Sequence, residues 1–77
     1  MRVAFYINRN GKRERQVISL DGFLINALAS IGVPKADVPK WIQAQIDNWT
    51  AFDPLLPITR QVKCLIVMAV IKKVTFL

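Results

Sequence analysis

Asn10-Gly11 constrains this chain more than any other pair of residues. Both residue types tolerate positive φ, so the pair marks a two-residue turn between paired strands. Ahead of it, "RVAFYI" sets Val3, Phe5 and Ile7 against Arg2, Ala4 and Tyr6, the period of a half-buried strand. Behind it, "KRERQVISL" places Gln16, Ile18 and Leu20 on one face and Arg13, Arg15, Val17 and Ser19 on the other. A lone hairpin is barely stable in water, so Ile18 and Leu20 need helices to rest on.

Those helices are legible downstream. Asp21 is positioned to cap the first, with Gly22 in its opening turn. Leu24, Leu28 and Ile31 then recur at helical spacing, and Gly32 stops the run. In "VPKADVP", Asp37 is expected to cap and Pro39 to open a second helix. Trp41, Ile42, Ile46 and Trp49 give that helix a broad apolar stripe, with both tryptophans expected on one structural face. "TAFDPLLP" reads as a loop. Thr59 is expected to cap a third helix in which Val62, Leu65, Ile66, Ala69 and Val70 are buried. That helix is apolar almost all round, which predicts a place deep in a core; "VTFL" at its end reads as strand or frayed tail. The expected fold is α+β: a single domain, residues 1–77, with a basic β-hairpin over 1–20 and a three-helix core over 21–77.

A chain of 77 residues buries little more than half of its unfolded surface and often needs a staple. Cys64 is the sole cysteine and histidine is absent, so neither an internal disulfide nor ordinary metal-ligand spacing is available. Association remains, and an obligate homodimer is the expectation. Cys64 suits a reducing cytoplasm, or a place in the core. "CLIVMAVI" is bounded by Lys63 and by Lys72-Lys73, too short to cross a bilayer, and no signal peptide is read at the start. A cytoplasmic protein without membrane attachment is expected. Nor do the residues suggest an enzyme. Glu14, Asp21, Asp37, Asp47 and Asp53 are accounted for as surface charges, caps and turn residues, and no nucleophile has a base beside it in sequence. No catalytic residue, metal or cofactor is assigned.

The charge does point somewhere. Of the formal +6, most lies in the first fifteen residues, where Arg2, Arg9, Lys12, Arg13 and Arg15 face Glu14 alone. A concentrated basic end is the footprint of a polyanion binder. A strand with an apolar face toward helices and an Arg-x-Arg-x-Val-x-Ser face outward could pair across a dimer and enter a DNA major groove. Arginine pairs bidentately with guanine, serine hydrogen-bonds to bases, and valine touches a thymine methyl.

The segment "SLDGFLINALASIGVPKADVPKWIQAQID", following that strand, resembles the ribbon-helix-helix family of small dimeric DNA-binding proteins. "LPITRQVKCLIVMAVIKK" looks like the extra C-terminal helix of a branch that carries a basic hairpin in front. The resemblance covers roughly residues 12 to 49 and implies sequence-specific binding of double-stranded DNA, as a transcriptional repressor or plasmid or phage accessory factor. It places Arg13, Arg15, Val17 and Ser19 against bases and Lys12, Lys35 and Lys40 against phosphates. Two features depart from the family. "GVPKADVP" is longer than its usual turn, and the first strand, Val3 to Ile7, could occupy the edge where a dimer mate would pair. The other reading is a mobile-element protein that keeps the fold but binds a protein, such as an inhibitor of a host defence complex, its basic face meeting an acidic partner.

Overall fold

A computed structural model describes residues 1–75. The chain runs β1 (Arg2–Arg9), β2 (Lys12–Ser19), α1 (Gly22–Ser30), a short 3-10 turn (Lys35–Asp37), α2 (Val38–Asp47) and α3 (Ile58–Thr75). The α+β architecture, a hairpin followed by three helices, is the one expected.

β1 and β2 pair antiparallel, with Val3 opposite Ile18 and Tyr6 opposite Arg15. Asn10 (φ 53°) and Gly11 (φ 77°) make the turn in the left-handed region that their residue types allow. Val3, Phe5, Ile7, Ile18 and Leu20 are buried on the inner face of the sheet. They meet Leu24, Ile25 and Leu28 of α1, Val38, Ile42 and Ile46 of α2, and Val62 and Ile66 of α3 in one apolar core.

α1 ends as its sequence indicates. Gly32, at φ 93°, donates its N–H to the Ala29 carbonyl, and Val33 donates to Leu28. This pair of bonds satisfies carbonyls that the helix end would otherwise orphan. The helix starts differ from expectation. Asp21 and Asp37 occupy the capping positions of α1 and α2, but neither side chain makes a cap hydrogen bond; at α1 it is the Asp21 carbonyl that accepts from Leu24 and Ile25. Thr59 caps nothing, because α3 begins one residue earlier, at Ile58.

Two further expectations are corrected. α2 stops at Asp47, so Trp49 lies in the following connection rather than on a helix face shared with Trp41. Trp49 instead packs against Phe52, ring centroids 5.7 Å apart. α3 is not deep in the core: Val62 and Ile66 are buried, Leu65, Ala69 and Val70 are half-buried, and Val67, Met68 and Ile71 are exposed. The fold supplies a sheet and two helices, enough to cover one stripe of α3 and no more. Cys64 is exposed as well, not core. α3 continues through Thr75, so Val74 and Thr75 of "VTFL" belong to this helix; its Phe76 and Leu77 lie outside the described residues. No helix among the described residues is long and apolar enough to cross a membrane.

Candidate nucleic-acid interface

The alternation of β2 sorts its side chains between two environments. Ile18 turns inward, while Arg13, Arg15, Val17 and Ser19 are all exposed. Their neighbours on β1 are Asn8, Tyr6, Ala4 and Arg2, each directly opposite in the register. The outer face therefore carries Arg2, Arg13 and Arg15 and no acid. Glu14, the hairpin's one acid, turns to the inner face, where Arg9 Nη1 lies 3.3 Å from its carboxylate and Gln16 donates to the same oxygen at 2.9 Å.

The arginines are not equivalent. The Arg13 guanidinium lies 4.8 Å from the centroid of the Tyr6 ring, close enough for cation–π attraction. Arg13 is the diagonal neighbour of Tyr6 across the ladder, and diagonal pairs are within reach of long side chains. Among the described residues Arg15 has no such ring beneath it. One arginine is held flat on the sheet and the other is free to reach.

The two edges of the sheet also differ. Gln43 of α2 accepts from the Tyr6 N–H at 2.7 Å and donates to the Tyr6 carbonyl at 2.9 Å. Its second amide hydrogen goes to Asp47 Oδ1 at 3.0 Å. A side-chain amide thus stands in for a third strand along β1. Because both backbone groups of Tyr6 point away from β2, Tyr6 and Arg15 form a non-hydrogen-bonded pair. Met1 and Leu20, five positions along, exchange both their N–H···O bonds, which fixes the same alternation. The backbone N–H and C=O groups of Arg13, Arg15, Val17 and Ser19 accordingly point out along the far edge of β2. Among the described residues no helix packs along that edge to cover them.

The lysines of the sequence reading are dispersed. Lys12 is exposed beside the turn and pairs with Arg9 in the register. Lys40 is exposed on α2, one turn before Gln43, and so sits alongside the β1 edge. Lys35 is exposed in the 3-10 turn that precedes α2. The structure brings Arg13, Arg15, Val17 and Ser19 together on one surface and leaves Lys35 apart from it.

Three residues that sequence reasoning passed over shape this face: Tyr6 as a platform, Gln43 as an edge clamp, and Arg9 as a tether. Arg9 Nη2 donates to the Pro54 carbonyl at 2.8 Å, fixing the hairpin tip to the connection between α2 and α3. Its Nε is buried without a partner. Only Tyr6 had a sequence signal, as an aromatic on the polar side of a strand. Among the described residues no cluster of three or more His, Cys, Asp or Glu side chains could hold a metal ion. Comparison with protein families, characterised proteins and solved structures gives no match for this chain.

Proposed function

We propose that the protein binds double-stranded DNA through the outer face of its hairpin, as a small transcriptional repressor or accessory factor of a plasmid or phage. The observation that carries this reading is the sorting of charge: three arginines on one exposed sheet face, and the hairpin's one acid turned away and matched by Arg9. A two-stranded ribbon fits a major groove, and here one chain supplies both strands. Arg13, Arg15, Val17 and Ser19 meet base edges, while Lys12 and Lys40 draw in phosphates.

A second copy belongs to the same reading. The accessible surface is 5350 Å², whereas a monomer of this mass typically exposes about 4,800 Å². Phe23, Ile71 and Val67 contribute to that excess at 78%, 58% and 43% exposure, around a cleft between α1 and α3 that Leu24, Ile66 and Val70 floor. Joining two copies there buries this surface and presents two hairpins to one duplex.

The test is a binding titration on a panel of duplexes across a salt series. Arg15→Ala should weaken binding to the preferred sequence by about 1–3 kcal/mol and relax preference at one base pair. Lys12→Ala should weaken binding to every sequence alike and make the salt slope shallower by about one unit. If both variants behave identically on all duplexes, the face attracts DNA without reading it, and the proposal fails.

A further inference from the structure

The open edge of β2 is independent of the reading above, since it is made of backbone groups that base recognition leaves unused. Four alternate residues, Arg13, Arg15, Val17 and Ser19, direct both N–H and C=O outward. An exposed edge of this length is a template for strand addition unless something blunts it. The opposite edge is blunted by Gln43. β2 has no proline within Lys12–Ser19; among the described residues its protection is positive charge, from Lys12, Arg13 and Arg15.

That protection selects rather than forbids. A second β2 would bring the same three cations alongside these three, with each Glu14 already engaged by Arg9, so a like strand is repelled. An acidic strand is attracted by the same charges. We propose that this edge takes an extended, acidic segment of another protein, added antiparallel to β2 as a third strand. Main-chain bonds supply the attachment and side chains the choice of partner, as in other strand-addition complexes. The register dictates the pattern. Residues opposite Arg13 and Arg15 share the outer face with them, so the segment carries acids two positions apart, preceded by a residue suited to Val17. Such a strand occupies Arg13 and Arg15, and DNA and acidic segment exclude one another.

The probe is a labelled eight-residue peptide alternating Glu with Thr, with a Lys–Thr peptide as its charge-reversed control. Binding is read by fluorescence anisotropy and by amide exchange. The Glu–Thr peptide should bind and slow exchange at Arg13, Arg15, Val17 and Ser19 by tenfold or more. Val17→Pro removes one outward N–H without touching a bond to β1, and should weaken the peptide at least tenfold. A peptide N-methylated at its Glu residues keeps its charge and loses the donors that face β2; it should also bind at least tenfold more weakly, whatever the fold of the proline variant. Equal binding of the N-methylated and parent peptides, or of the Lys–Thr control, would overturn the proposal. So would slow exchange of these four amides in the protein alone, which would mean that a second copy already fills the edge.

Discussion

The Gln43 side chain and the Tyr6 backbone form a closed pair, with the amide oxygen 2.7 Å from the Tyr6 nitrogen and the amide nitrogen 2.9 Å from the Tyr6 oxygen. One side chain satisfies both main-chain groups of one residue and joins α2 to the edge of β1. Gln43→Ala should cost about 1–2 kcal/mol, the net worth of two such bonds at a partly exposed site. In the same variant the Tyr6 amide should exchange at least tenfold faster. Urea unfolding and amide exchange measure both, and an unchanged Tyr6 rate would mean that Gln43 does not protect this edge.

Exchange in the unmodified protein should alternate along β2. Glu14, Gln16 and Ile18 donate toward β1 and should be slow, whereas Arg13, Arg15, Val17 and Ser19 should exchange nearly as fast as the turn. A uniform profile would contradict the assignment of the open edge.

The two tryptophans should separate by cost. Trp41 packs half-buried against the core, and Trp41→Ala is expected to cost about 2–3 kcal/mol, below the full range for a wholly buried aromatic. Trp49 packs against Phe52 beyond the end of α2, and Trp49→Ala should cost about 1–2 kcal/mol. Thermal unfolding of both variants ranks them.

Phe23→Lys, at the most exposed apolar side chain of the cleft between α1 and α3, tests the second copy. Sedimentation should give about twice 8.8 kDa for the native chain at micromolar concentration, because exposed apolar surface is hidden by association. The variant should sediment as a monomer. A native mass near 8.8 kDa would refute association through α1 and α3.

The hairpin was legible because its signals are local. Asn10-Gly11 names the turn, and the two-residue period of Val3, Phe5, Ile7 and Ile18 names the buried face, so Arg13 and Arg15 could be placed outward from sequence alone. The start of α3 was less legible because Thr59 is a good capping residue that happens to lie inside the first turn, behind Pro57 and Ile58. The burial of α3 was not legible for another reason: an all-round apolar sequence states what a helix tolerates, not how much partner surface the rest of the chain can supply. Gln43 was invisible, since its role depends on which strand edge α2 passes. Gln61 does the same work elsewhere. It accepts from the Asp53 N–H at 3.0 Å and donates to the Asp53 carbonyl at 2.7 Å, and nothing in its sequence neighbourhood marks it.

The bond from Arg9 to the Pro54 carbonyl spans 45 residues of chain and makes the connection between α2 and α3 part of the hairpin's mechanics. A tip held this way is ordered before it meets anything, so a ligand does not have to freeze it and keeps that entropy as affinity. The same arrangement leaves the tip vulnerable at a distance. Leu55, 82% exposed, offers thermolysin the Pro54–Leu55 bond, whose carbonyl is the anchor itself, and a nick there would loosen the hairpin tip far away in the sequence.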